Sequence, residues 1–254
     1  MTQLASEFAT TQAPEKSYFD ARSQCRFIVT TPRKYPRLWG EYLTGAVENY
    51  RHYGVEDVLE YDDIADGRTT SLFFSALDGV GRVVAGLRVQ GPYMHADEAH
   101  AVQEWTGHPG VTEVYTMIEG RIPSGVIELK TAWTSPRADR REELTSALSR
   151  IAPHAMMLLG VRFAMATAAG YVLDRWASCG GLMASDIPGV PYPDDRYLTR
   201  MMWWDKATYA DTTDRTQLPA IMSEASQLSA GGSAENVGRS PRREVRQANG
   251  VCRE

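Results

Sequence analysis

Three stretches of this sequence hold charged groups at spacings that could recognise an amine or move a proton. Residues 55–67, VEDVLEYDDIADG, put Glu60, Asp62, Asp63 and Asp66 within seven positions. Carboxylates this close repel one another unless a cation or hydrogen-bond donors gather among them. The segment is therefore either a pocket for an ammonium group or a solvated acidic turn. Glu128 stands between Ile127 and Leu129 in the apolar run GVIELKTAWT. A carboxylate half-buried in such a strand has a raised pKa and can take a proton from an amine nucleophile, directly or through water. The plain alternative is a strand residue on the solvent face, with Lys130 as its same-face neighbour. Arg88 lies near the end of the run GRVVAGLRVQGPYM. Its permanent charge and rigid donor fork fit a carboxylate or a phosphate. It serves either as an ion-pair partner for the acidic segment or Glu128, or as a contact for an anionic group.

Positive charge also follows the Glu128 run, in Ser135-Pro136-Arg137-Ala138-Asp139-Arg140-Arg141. Arginines in a first helical turn oppose the helix macrodipole, which makes sense where an anion sits at that end. Otherwise both reach into solvent or pair with Glu143. The aromatic and methionine pairs (Phe73-Phe74, Met156-Met157, Met201-Met202-Trp203-Trp204) fit a core, or a tunnel for an acyl chain. His95 and His100, five apart, do not share a helix face, so the spacing favours no metal site.

The elements that position these groups read as one mixed α/β domain. The 254 residues are 43% hydrophobic and 23% charged, with a formal net charge of −5. That composition is globular, and the charge argues against nucleic-acid binding by the whole surface. The three cysteines are scattered, as expected of reduced thiols in a cytoplasmic protein. The N-terminus lacks a secretory pattern. The apolar stretch 155–173 carries Arg162 near its centre with Gly160 and Gly170 inside it, which reads as buried core rather than a membrane span. The spacing predicts a helix from Pro36, strands over 71–77 and 82–89 joined by an Asp78-Gly79-Val80-Gly81 hairpin, and a short helix over 95–105. Beyond these come a strand over 125–134, a helix opening near Asp139 and divided by Pro153, a strand over 161–168, a helix over 170–179 and a last strand over 197–204. Residues 1–20 read as a flexible arm, 21–210 as the folded domain, and 223–254, rich in Ser, Gly and Arg, as a disordered tail.

With that element order, three motifs resemble the GNAT acyltransferase superfamily, and within it the branch of autoinducer (acyl-homoserine lactone) synthases and N-acyl amino acid synthases. Glu60-Tyr61-Asp62 resembles an E-x-D-x-x-D element, whose third acid would fall at Ala65, so that Asp63 or Asp66 would substitute. GRVVAGLRVQGPYM resembles a G-x-V-V-G-x-x-R-L-x-P-T strand, with Arg88 at the functional arginine. VIELKTAWTSP resembles a W-E-L-S-R-F-x-V strand, with Glu128 at the glutamate. The match runs over about 33–206.

The resemblance implies a GNAT-like central mixed, mostly antiparallel sheet flanked by helices. It implies an N-acyltransferase that moves an acyl group from acyl-CoA, or from the phosphopantetheine of an acyl-carrier protein, to the amine of a small acceptor such as an amino acid derivative. Glu128 or a carboxylate of the acidic loop, Glu60 or Asp62, would remove the ammonium proton. Arg88 and Asp63 would contact the acceptor, and backbone N–H groups around Trp133 would polarise the thioester carbonyl. Thr134, Ser135, Arg137, Arg140 and Arg141 would hold the donor, and Tyr171 or water would protonate the thiolate. No permanently bound cofactor and no metal is implied. Three features depart from the pattern. The donor segment has no glycine, Thr131 stands where the branch has arginine, and Trp176 stands where many GNAT enzymes have the tyrosine acid. The missing glycines suit delivery by an acyl-carrier protein. The departures also define a rival expectation, a GNAT-like binding or regulatory protein without transfer chemistry.

Overall fold

The computed structural model describes residues 16–230. In chain order they form β1 (Lys16–Asp20), β2 (Cys25–Thr30), α1 (Pro36–His52), α2 (Tyr61–Ile64), β3 (Leu72–Leu77), β4 (Val83–Gln90), α3 (His100–Glu104) and α4 (Val111–Glu119). After these come β5 (Val126–Thr134), α5 (Arg141–Ser149), α6 (Ile151–Leu159), β6 (Phe163–Ala169), α7 (Leu173–Ala177), β7 (Leu182–Met183), β8 (Val190–Pro191), β9 (Leu198–Asp205), α8 (Tyr209–Thr212) and α9 (Leu218–Ala230). The nine strands make one sheet in the order β1-β2-β3-β4-β5-β6-β9-β7, with β8 also on β9. Every pairing is antiparallel except β5 with β6. This is the mixed, largely antiparallel architecture expected from the sequence.

Side-chain alternation along the strands builds a core on each face. Phe74, Leu87, Ile127, Ala164 and Trp204 pack under α5, α6 and α9. On the opposite face Phe73 and Trp133 pack against Trp39 and Tyr42 of α1, and Met165, Met201 and Trp203 lie against the α3–α4 segment. Two glycines bring α1 this close. A Cβ on Gly86 would run into the Tyr42 ring, and one on Gly45 into Trp133.

Several expectations are adjusted by long-range contacts. Residues 16–20 are a strand paired with β2, not part of a loose arm, and 223–230 belong to α9, not to a tail. Residues 1–15 and 231–254 lie outside the described part of the chain. The expected helix over 95–105 is broken at Ala99, whose backbone is extended, leaving a single turn and then α3. The helical stripe after Asp139 does divide, at Arg150, and Pro153 falls in the first turn of α6 where its missing N–H costs no bond. Met156, Met201, Met202, Phe73, Phe74 and Trp204 are buried core. The stretch 155–173 splits between α6, β6 and the turn after it. Among the described residues no helix is long and apolar enough to cross a membrane.

Candidate active site

The parallel ladder between β5 and β6 is short. It pairs Val126 with Phe163, Ile127 with Ala164 and Glu128 with Met165, and goes no further, although both strands continue. β5 then bulges, because Leu87 of β4 lies opposite two residues, Thr131 and Ala132, between the Gly86–Trp133 and Arg88–Lys130 pairs. Thr131 adopts a φ of 50°, a left-handed conformation unusual outside glycine. Hydrogen bonds hold it there. Tyr42 Oη donates to its carbonyl at 2.8 Å, and Arg88 Nε donates to its hydroxyl at 3.1 Å. The two strands part beyond Glu128, ahead of the bulge, and leave a cavity of about 560 Å³. Its walls come from both faces of the sheet. Leu87, Leu129, Leu148 and Ala166 line one side, Glu104, Lys130, Thr167 and Tyr192 the other, and Tyr53, Arg141, Tyr171 and Arg175 also contribute.

Where the cavity meets the α3 side, a cluster of charged groups is buried. Glu104 Oε1 accepts from Lys130 Nζ at 3.0 Å and Thr167 Oγ1 at 2.9 Å, and lies 2.8 Å from His100 Nδ1. Lys130 Nζ is 2.6 Å from His100 Nδ1, and His100 Nε2 is 3.2 Å from Glu60 Oε1. Glu128 Oε2 accepts from Tyr93 Oη at 2.7 Å and from the His100 backbone N–H at 3.0 Å. The break at Ala99 is what frees that N–H. Glu104 Oε2, Glu128 Oε1 and Arg88 Nη1 are buried without a partner among the described residues, which calls for an occupant of the site.

Burial pushes the Glu104 carboxyl up, but the Lys130 ammonium and the His100 ring outweigh it and hold it down at about 2. For His100, burial pushes the imidazole down, yet the hydrogen bond and charge of Glu104 leave it above its ordinary value. The Tyr93 phenol is driven well up by burial and by the Glu128 charge. Ligand atoms of His100, Glu104 and Glu128 lie within 4.8 Å of one another. The Lys130 ammonium already supplies the cation at that point, so we assign no metal to them.

The expected site residues are distributed unevenly around this cavity. Thr134, Arg141, Trp133 and Tyr171 line it. Tyr171 is 80% exposed, whereas the Trp133 ring packs into the α1 core. Glu60 reaches the cluster through His100, but Asp62 and Asp63 are exposed on α2 and make no contact with it. Ser135, Arg137 and Arg140 stay outside, and Arg140 donates to the Arg22 carbonyl at 3.0 Å. Glu128 is fully buried and is not part of the cavity wall. Arg88 is corrected in one respect. Among the described residues it pairs with neither the acidic loop nor Glu128, because its guanidinium is spent partly on Thr131 beside Tyr42, Tyr50 and Tyr93. Sequence reasoning missed His100 and Glu104. Their i,i+4 spacing on one helix was the available signal, masked by comparing His100 with His95 instead.

No protein-family model matches the sequence. The uncharacterized protein Rv1356c of Mycobacterium tuberculosis is 45% identical over 223 residues, 85% of each chain, and so is the uncharacterized protein Mb1391c of Mycobacterium bovis. Among solved structures, FeeM, an N-acyl amino acid synthase from uncultured soil microbes, superposes with a TM-score of 0.55 at 8% identity over 76% of this chain and 97% of that one. The chain therefore belongs to the family of these mycobacterial proteins, and its fold is the GNAT fold of the N-acyltransferases.

Proposed function

We propose that this protein is an N-acyltransferase, moving an acyl group from a thioester to the amine of a small acceptor. One observation carries the reading. β5 and β6 separate beyond Glu128 and enclose a cavity whose walls are apolar on one side and charged on the other. Once the strands part, the β6-facing edge of β5 has no ladder partner there. An extended amide-bearing arm such as phosphopantetheine can take that partner's place, and backbone N–H groups near Trp133 can face the thioester oxygen. Leu87, Leu129 and Leu148 suit an acyl chain, and Arg141 and Arg175 offer charge for phosphate at the same cavity.

The acceptor enters against the charged wall. Glu104, ionised and with one unpartnered oxygen, meets an ammonium group. Arg88 does not line the cavity; it stands behind Thr131, which does, and its unpartnered nitrogen adds positive charge there for an acceptor bearing a carboxylate or similar anion. In this reading Glu128 anchors Tyr93 and the start of α3, and the exposed Asp62 and Asp63 stand aside. Donors of both kinds fit, free acyl-CoA or the arm of an acyl-carrier protein. Purified protein should release thiol from acyl-CoA or acyl-carrier protein when given a pool of amino acids and polyamines, with the acylated amine found by mass spectrometry. Failure of every acyl thioester to bind would leave the fold with a different task.

A further inference from the structure

We propose that Arg88 is a positioning residue for the transfer. It holds Thr131 in a left-handed conformation and so sets the bulged edge of β5 against which the thioester lies, an inference that rests on the acyl-transfer reading above. A bulge whose first residue is left-handed ordinarily has glycine there. This chain has a β-branched threonine at a φ of 50°. Such a residue keeps that conformation only where its surroundings impose it.

Two side chains impose it. Tyr42 Oη donates to the Thr131 carbonyl at 2.8 Å and ties it to α1, with the Tyr42 ring seated against Gly86. Arg88 Nε donates to the Thr131 hydroxyl at 3.1 Å. Arg88 is 3% exposed, and among the described residues its guanidinium makes this one hydrogen bond. Directly across the ladder stands Lys130, a like charge that offers it no acceptor. A buried guanidinium aimed at a hydroxyl rather than a carboxylate makes sense where the place of that hydroxyl matters.

The place matters for the whole stretch that follows. Lys130 and Trp133 are three apart and would point to opposite faces of a regular strand. They lie instead opposite Arg88 and Gly86, which are two apart on β4 and share a face. The extra residue at Thr131 makes this possible, so that Lys130 meets Glu104 while Trp133 packs against α1. Thr131, Ala132 and Trp133 all line the cavity, past the point where β6 has left the ladder. A Thr131 relaxed to the extended form would turn over the peptides after it. The N–H groups assigned above to the thioester oxygen would then move off it.

The test is a double-mutant cycle on thiol release from an acyl-CoA series with the amino acid and polyamine pool. It is scored as kcat per folded molecule, with urea unfolding run in parallel. Arg88→Met should lower kcat by about 10²-fold, the cost of misplacing reacting groups by about 1 Å. Thr131→Val keeps the branched shape and the Arg88 charge but removes the hydroxyl, and should fall as far. In a Thr131→Gly background, where glycine takes the left-handed form unaided, Arg88→Met should cost about tenfold less, the remainder being the Arg88 charge itself. Should Arg88→Met fail to fold, Thr131→Val alone decides. An equal loss in both backgrounds, or unchanged turnover in Arg88→Met or Thr131→Val, would overturn the assignment. A wild-type protein that releases no thiol from any donor defeats the acyl-transfer reading itself, a separate outcome.

Discussion

Two buried clusters of charge sit on opposite faces of the sheet, and they are finished differently. Under α6, Arg150 binds Glu224 through Nε and Nη2 at 2.7 to 3.1 Å, Asp20 at 2.8 Å and Gln217 at 3.1 Å. His154 Nε2 takes the remaining side of Glu224 at 2.8 Å, and the Ser23 N–H takes the second Asp20 oxygen. All four carboxylate oxygens there have partners, and the atoms left over are not carboxylate or guanidinium atoms: His154 Nδ1 and the hydroxyls of Tyr18 and Ser23. Beside α3, by contrast, a carboxylate oxygen of Glu104, one of Glu128 and a nitrogen of Arg88 remain open, and the cluster adjoins a cavity. A buried charge left open costs several kcal/mol unless something arrives to meet it. The closed cluster clamps β1 and α9 to the domain. The open one is where the proposed reading places the acceptor.

The comparison can be broken in order of effect. Arg150→Met should cost the most stability, about 3 to 5 kcal/mol, because it strands two buried carboxylates. Urea unfolding measures this, and activity per folded molecule should be unchanged. A large loss of kcat in protein that remains folded would show that the closed cluster is not merely scaffold.

Glu104→Gln should reverse that pattern, with activity falling about tenfold or more and a smaller stability loss of about 1 to 3 kcal/mol. It also makes a prediction about pH. The Glu104 carboxyl is depressed from 4.5 to about 2, so its contribution is complete above pH 4.5 and disappears as pH falls through 2. The His100 ring is raised, so its contribution is complete below 6.5 and fades as pH rises through its folded value. Wild-type stability from this pair therefore peaks between those limits. In Glu104→Gln the acid limb should flatten, as thermal unfolding across pH 2 to 8 would reveal.

The smallest effect belongs to the edge of the comparison, where charge is exposed. Arg141 lines the cavity and bonds to the Tyr53 hydroxyl. Arg141→Ala should raise the KM for acyl-CoA by about two- to tenfold at low salt. The difference should shrink at high ionic strength, since exposed charges are screened within about 10 Å at 0.1 M. An equal KM at low salt would remove Arg141 from the donor site.

Much of the scaffold is written locally. Pro36 and the apolar stripe behind it start α1, the Asp78-Gly81 turn joins β3 and β4, and the apolar run around Glu128 is β5. Such elements follow from residue period and turn chemistry, which act over a few positions. β1 and α9 were not legible. The sequence around them reads as loose chain, and it is long-range contacts that order them: the β1–β2 ladder, Tyr18 and Leu228 in the core, and Arg150, which reaches Asp20 from 130 positions away and Glu224 from 74.

The site divides in the same way. The i,i+4 pair of His100 and Glu104 is local and was visible in the sequence as spacing, as were Glu60 and Lys130 as single residues. Their meeting was decided by the tertiary structure alone. Lys130 comes to Glu104 from 26 positions away, Glu60 to His100 from 40 and Thr167 to Glu104 from 63. Those distances are closed by the parting of β5 from β6 and by the packing of α3 onto the sheet. No pattern within a helix or strand specifies them, because register and face-to-face packing depend on the whole core at once.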